Sequence, residues 1–135
     1  MFCVLDCSVV AGWCFEDEAS SWADGILDSV AAQGALVPSH WHLEVGNMML
    51  QACKRKRITQ AQMAERFLSL AELPITVDGS THLLVFNSVI PRAFQESLTS
   101  YDAAYLELAM NNGLPLATKD NDLKKAARRV GVTLL

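Results

Sequence analysis

The chain has 135 residues, a formal net charge of −4, and 51% hydrophobic against 19% charged residues. This length suits one domain with its own core, residues 1–135, and the composition excludes a disordered chain. The acidic balance argues against a protein that coats bulk nucleic acid, although a local basic patch can still contact RNA.

Targeting segments and disulfides are not indicated by the sequence. No stretch reaches the ~20 apolar residues of a membrane helix, and Met1 leads directly into an apolar run without the basic region of a signal peptide. We therefore expect a cytoplasmic protein without membrane contact. The four cysteines form no C-x-x-C pair and are expected to be reduced thiols. A zinc site with Cys3 and Cys7 is an alternative, but this spacing fits no common zinc pattern.

Short apolar runs alternate with helical patterns along the chain. In the first half the predicted elements are strands over 2–5 and 35–37 and helices over 8–15, 16–32 and 40–57. In the second half they are helices over 59–73, 99–112 and 122–130, a helix that begins at Asp78 or Ser80 and is disturbed at Pro91, and strands over 75–77, 114–118 and 132–135. Short buried strands that alternate with helices indicate a parallel sheet covered on both faces.

Four carboxylates fall where such a fold would bring them together: Asp6, Glu44, Asp102 and Asp120. Ligands of open parallel sheets bind outside the carboxyl ends of the strands, and the first and last of these acids follow predicted strands. Glu44 and Asp102 lie near helix starts. A cluster of buried carboxylates is costly unless a cation compensates it, so the pattern predicts a site for Mg²⁺ or Mn²⁺.

Each acid also has an ordinary structural interpretation. Asp6 can cap the first helix, and Asp102 completes a Thr-x-x-Asp variant of the capping box. Asp120 competes with Asp122 as the acid of the last helix, so either can be the ligand. Glu44 flanks an apolar helical stripe without an obvious basic partner nearby in sequence.

Other polar groups near these acids are weaker candidates. Ser8 and Thr118 can hold acids or waters by hydrogen bonds. His40 and His42 resemble a fragment of a zinc site, but residues two apart on a helix point to different faces, which favours surface or capping roles. Four basic residues of the last helix form i,i+4 pairs and can contact an RNA backbone or simply face solvent. They are Lys124, Lys125, Arg128 and Arg129.

Four segments of the chain resemble the PIN-domain family, and more narrowly the VapC toxins of VapBC toxin–antitoxin pairs. They are VLDCS at 4–8, LEVGN at 43–47, LTSYDAAYLELA at 98–109 and LPLATKDNDLKKAA at 114–127. They occur in the family's order over essentially the whole chain. The third and fourth segments are the specific ones, whereas the first acid alone is a weak signal.

The resemblance implies a three-layer α/β/α sandwich with a five-stranded parallel sheet and Mg²⁺- or Mn²⁺-dependent RNA cleavage. It assigns Asp6, Glu44, Asp102 and Asp120 to the metal site, places Ser8 and Thr118 behind them, and leaves the role of Asp122 open. It further implies a homodimer that is inhibited by a small antitoxin protein.

Two other functions compete with this interpretation. A PIN fold with a silent site would act as an RNA- or protein-binding module, which four intact acids argue against. A phosphotransfer protein would carry a second acid close to Asp6, and the segment Asp6-Cys7-Ser8 has none.

Overall fold

The computed structural model describes residues 1–135 and contains four strands and eight α-helices. The strands are β1 (Cys3–Leu5), β2 (Ala35–Val37), β3 (Ile75–Val77) and β4 (Leu116–Ala117). The helices are α1 (Cys7–Cys14), α2 (Ser21–Gln33), α3 (Trp41–Lys54), α4 (Gln60–Ala71), α5 (Thr81–Leu84), α6 (Ile90–Glu96), α7 (Ser100–Asn112) and α8 (Asn121–Val130). None of these helices has the length and apolar character needed to cross a membrane.

All strand pairs are parallel, and the strand order is β3-β2-β1-β4. The chain extends the sheet from β1 through β2 to β3 and then returns to add β4 on the other side of β1. Right-handed crossovers place helices on opposite faces of the sheet when the direction of growth reverses. The predicted parallel sheet flanked by helices is therefore confirmed, and the carboxyl ends of β1 and β4 form the crevice where this fold binds ligands.

The expected fifth strand at residues 132–135 is wrong, because the sheet has four strands. The C-terminal segment makes one parallel bridge, between Leu116 and Leu134. Two backbone hydrogen bonds flank it, from Leu116 N to Thr133 O at 2.9 Å and from Leu135 N to Leu116 O at 3.1 Å. β4 is only two residues long, so it offers the last segment too little backbone for a ladder.

Local capping residues explain where several helices begin and why these starts differ from the predicted ones. The acids at Glu16–Glu18 form a separate 3₁₀ turn, because the Ser20 side chain accepts a hydrogen bond from Ala23 N and starts α2 later. Thr59 and Gln62 make a reciprocal capping box at α4. The expected helix around Pro91 is divided into α5, a π-helical segment (Val85–Val89) and α6.

The core surrounds the sheet, and α7 runs through it buried on nearly every side. Residues 103–109 of this helix are all buried, including Glu107. Phe15 is buried, and Trp13 and Trp22 pack against the same core, so these aromatic residues do not form an exposed groove. The four cysteines are free, as expected.

Two buried carboxylates tie α6 and the π-helical segment to the rest of the molecule. Glu107 accepts hydrogen bonds from Arg92 Nε at 2.7 Å and Ser88 Oγ at 2.8 Å. Glu96 accepts one from Arg129 Nε at 2.6 Å, which fixes the end of α6 to α8. Because a buried charge is costly without a partner, these pairs define the position of α6.

Candidate metal centre

Asp6 lies at the carboxyl end of β1 and is held by two hydroxyl groups. Its side chain is buried and makes no capping hydrogen bond to α1, so the helix-cap interpretation does not describe it. Thr118 Oγ1 donates to Asp6 Oδ2 at 2.6 Å, and Ser8 Oγ donates to the same oxygen at 2.7 Å. Neither hydroxyl contacts Oδ1, so the two hydrogen bonds fix the orientation of the carboxylate through one oxygen.

The same two hydroxyls bind the loop that follows β4. Ser8 Oγ accepts from Lys119 N at 2.9 Å, and Thr118 Oγ1 accepts from Asp120 N at 3.0 Å. Backbone amides therefore orient the hydroxyls, and the hydroxyls orient Asp6. This network joins the ends of β1 and β4, which are also linked by the bond from Asp6 N to Ala117 O at 3.0 Å.

Glu44 lies in the first turn of α3 and is held in a comparable way. Tyr105 OH donates to Glu44 Oε1 at 2.6 Å. His40 Nε2 lies 3.4 Å from the same oxygen and has no hydrogen-bond partner of good geometry. The imidazole packs edge-on against Tyr105, with 5.3 Å between ring centroids. Both neighbours therefore lie at Oε1 and leave Oε2 for another ligand.

Asp120 and Asp102 complete the group from two helix starts. Asp120 caps α8, because its Oδ1 accepts from Leu123 N at 2.8 Å. Asp102 lies in the first turn of α7, where its backbone N–H donates to the Thr99 side chain. Asp122 is exposed and makes no hydrogen bond within this group. The structure thus brings Asp120, and not Asp122, next to the other acids.

The pKa values show that the four carboxylates lie within electrostatic reach of one another. The pKa of Asp102 is raised to about 6, first by burial and then by the negative charges of three neighbours, Asp6, Asp120 and Glu44. Burial also raises the pKa of Asp6, against the lowering effect of its two hydroxyl donors. Burial raises the pKa of Glu44, and the charge of Asp6 adds to this effect.

The chemistry of this donor set fits a hard divalent cation. Three of the acids have one oxygen engaged by protein donors and a second oxygen without such a donor side chain. No three His, Cys, Asp or Glu side chains converge closely enough to hold one ion by themselves. Mg²⁺ does not require that, since it usually keeps several waters and binds through one or two carboxylates. A cation would also relieve the repulsion that raises the pKa of Asp102.

Tyr105 was not assigned a role from the sequence, and His40 was expected at the surface or as a helix cap rather than beside an acid. Tyr105 follows Asp102 by three positions, so both lie on one face of α7, and this spacing was the available signal. His40 precedes Glu44 by four positions, which places them together on α3. His42 does not contact the acids, and the zinc interpretation therefore has no support in the geometry.

The basic residues of α8 are not one uniform face. Arg129 is paired with Glu96 and lines a cavity together with Lys125. Lys124 and Arg128 lie outside that cavity and form no ion pair. Contact of these four residues with an RNA backbone stays a prediction.

The fold and the acidic crevice define an α/β protein with a candidate metal centre at the switch point of its sheet. The family model of the PIN domain matches residues 3–129, and the chain therefore belongs to the PIN domain family. This fold is generally a nuclease fold that uses divalent metal ions.

One solved structure with the same fold is the crystal structure of PAE2754 from Pyrobaculum aerophilum. The TM-score is 0.68 and the sequence identity is 20%, over 91% of this chain and 84% of that chain. At this identity the similarity supports the fold alone. No curated protein matches the chain.

Proposed function

We propose that this protein is a Mg²⁺- or Mn²⁺-dependent endoribonuclease and the toxin of a VapBC-type toxin–antitoxin pair. The observation that carries the proposal is the orientation of the acids. Asp6, Glu44 and Asp120 each have one oxygen held by a hydroxyl or backbone donor, and all three raise the pKa of Asp102. Such preorganised carboxylates are costly for folding, and a cation-dependent activity accounts for that cost.

The side chains of the site would each have a separate role at the scissile phosphate. One or two cations would be held by Asp6, Asp102 and Asp120, in part through bound waters, and Glu44 would complete the shell or orient a water. Ser8 and Thr118 keep Asp6 in place, and Tyr105 keeps Glu44 in place. A bound Mg²⁺ or Mn²⁺ ion would lower the pKa of a water and neutralise charge on the phosphate and the leaving oxygen.

The proposed partners are an RNA substrate, a second copy of the chain and a small antitoxin protein. An exposed apolar stripe supports contacts between proteins. Along α5, the π-helical segment and α6, the side chains of Leu83, Phe86, Ile90 and Phe94 are 68, 92, 44 and 90% exposed. Their spacing of three and four residues places them on one face, and a contiguous apolar surface of this kind marks interaction sites.

The function is tested by cleavage of labelled RNA with the Asp6→Asn variant. Purified protein is incubated with a pool of tRNA and ribosomal RNA in Mg²⁺, in Mn²⁺ or in EDTA. We expect discrete products that require the metal and that disappear in Asp6→Asn, because the amide keeps the size of the side chain but removes its charge. Asp28→Asn is the matched control, since Asp28 is exposed on α2 and touches none of the acids.

Full activity of Asp6→Asn would contradict the metal assignment. A protein that leaves every RNA intact, yet binds RNA or a partner, would be the catalytically silent module instead. A Mn²⁺ titration that follows the melting temperature separates an inactive site from a missing substrate, because only an intact site is stabilised by the ion.

A further inference from the structure

A polar cavity of about 540 Å³ lies between the end of α6 and α8. This volume falls within the roughly 300–1,000 Å³ of ligand sites. It is lined, without any hydrophobic side chain, by Gln95, Glu96, Ser97, Asp122, Lys125 and Arg129. The lining begins two residues after Asp120 on α8 and ends two residues before Thr99, the cap of α7. The cavity therefore adjoins the acidic centre.

The cavity follows one face of α8. Asp122, Lys125 and Arg129 are three and four positions apart, so they form a continuous line along the helix. This line starts at Asp122, two residues after Asp120, and leads toward the carboxyl end of α8. A substrate strand whose phosphate lies at the acids would reach the cavity with its neighbouring nucleotide.

The planar guanidinium group of Arg129 lines the cavity, and two hydrogen bonds hold it in one orientation. Its Nε donates to the buried carboxylate of Glu96 at 2.6 Å, and its Nη2 donates to the Glu96 backbone oxygen at 3.3 Å. The arginine side chain nevertheless remains 52% exposed. A guanidinium plane that is held in this way offers a face on which an RNA base can stack.

The charges of the lining favour a neutral base over a phosphate. Glu96 and Asp122 balance Lys125 and Arg129, so the cavity has no net positive charge to attract an anion. Asp122 and Lys125 take part in no ion pair or hydrogen bond, and their polar groups remain available. The cavity thus offers a carboxylate acceptor and an ammonium donor side by side.

We propose that this cavity binds a guanine base of the RNA strand, next to the phosphate held at the acids. The proposal rests on the proposed ribonuclease function. Guanine has two N–H donors on one edge that match the carboxylate of Asp122, and an O6/N7 acceptor pair that matches the ammonium of Lys125. Adenine and cytosine each offer one exocyclic amino group, and uracil has none, so none of them satisfies both side chains as fully.

The test is a titration of the full chain with the four ribonucleoside 5′-monophosphates, in Mg²⁺, followed by NMR or calorimetry. We expect GMP to bind more tightly than AMP, CMP and UMP by at least about fivefold, the lower end of base discrimination by a hydrogen-bonded pair. Lys125→Gln is expected to remove this preference. Lys54→Gln is the matched control, because it removes the same charge from an exposed position on α3, outside the cavity and the acidic centre.

Equal binding of all four nucleotides, no binding of GMP, or equal effects of the two lysine variants would overturn the guanine site. Asp122→Asn provides a second measurement, with inosine 5′-monophosphate, which lacks the exocyclic amino group. The variant is expected to narrow the preference for GMP over this nucleotide, and an unchanged preference would contradict the contact with Asp122.

RNA cleavage separates this site from the proposed function. Metal-dependent cleavage without any dependence on guanine, together with absent GMP binding, would leave the ribonuclease standing and remove the guanine site. Selective GMP binding in a protein that cleaves no RNA would support the guanine site and contradict the ribonuclease function.

Discussion

At the scale of single residues, the hydrogen bond between Tyr105 and Glu44 is the least obvious determinant of the site. We expect Tyr105→Phe to lower RNA cleavage by roughly 10–100-fold, the usual loss when a group that orients a metal ligand is removed. The ring stays, so the core is preserved, but Glu44 Oε1 loses its donor at 2.6 Å. Initial rates and the Mn²⁺ concentration for half-maximal activity measure the effect.

Tyr101→Phe is the control for this prediction. Tyr101 lies on the same helix and also packs against His40, with ring centroids 5.6 Å apart, but its side chain is 60% exposed and does not donate to Glu44. Similar losses in both variants would show that the effect is not specific to the hydroxyl of Tyr105 and its hydrogen bond to Glu44.

The raised pKa of Asp102 has a measurable effect on stability. Because the folded pKa of about 6 exceeds the ordinary value of 3.8, the fold favours the protonated acid. Its contribution to stability is therefore complete below about pH 4 and is lost as the pH rises through about 6. In EDTA, we expect the melting temperature of the wild type to fall relative to Asp102→Asn across this window, by a few degrees.

Addition of Mn²⁺ should remove this difference in melting temperature at neutral pH, because the ion stabilises the wild type and not Asp102→Asn. If the wild type melts at a higher temperature than Asp102→Asn at neutral pH in EDTA, the charge of Asp102 does not destabilise the fold.

At the scale of elements, the close contact of α1 and α2 depends on a glycine. A Cβ atom built on Gly12 would lie 2.7 Å from the Cβ of Ala23, so Gly12→Ala forces the helices apart. We expect a loss of about 1–3 kcal/mol in the free energy of unfolding, the range for an overpacked core. Denaturant unfolding measures it.

Gly46→Ala on α3 is the opposite case and the control. Nothing lies within 4 Å of a Cβ atom there, and alanine favours a helix interior. We expect a gain of roughly 0.5–1 kcal/mol. Equal losses in the two variants would contradict the close helix contact as the cause.

The sequence predicted element types better than their ends. Ala35–Val37 and Ile75–Val77 were predicted as strands with the observed bounds, because short apolar runs lie next to turn residues. The disturbance of the helix at Pro91 was predicted, because proline clashes with the carbonyl four residues earlier. The π-helical form of the preceding segment, Val85–Val89, was not predicted. The hydrogen bond of Tyr105 with Glu44 was not predictable either, because it joins α7 to α3 across 61 positions of the chain.

At the scale of the whole molecule, the exposed apolar stripe is the surface through which the proposed homodimer would form. If the chain is a homodimer through this stripe, Phe86→Ser combined with Phe94→Ser should shift it to a monomer. These rings are 92 and 90% exposed, so their removal should cost the monomer fold little. Light scattering after size-exclusion chromatography measures the mass.

Leu68→Ser is the control on a different surface, because Leu68 lies on α4 and is 71% exposed. A double variant that keeps the wild-type mass would place the dimer contact elsewhere, and a wild type that is already monomeric would contradict the homodimer.

The network that holds Asp6 joins groups from opposite ends of the chain, since Asp6 and Thr118 are 112 positions apart. During synthesis, β1, β2 and β3 are made long before β4, and the edge of β1 that β4 will cover stays open. Thr118 and Asp120, the last two groups needed, are synthesised after all of these elements. A nascent chain that has not yet reached β4 therefore carries no assembled acidic centre, and the site forms only after nearly all of the PIN domain has been synthesised.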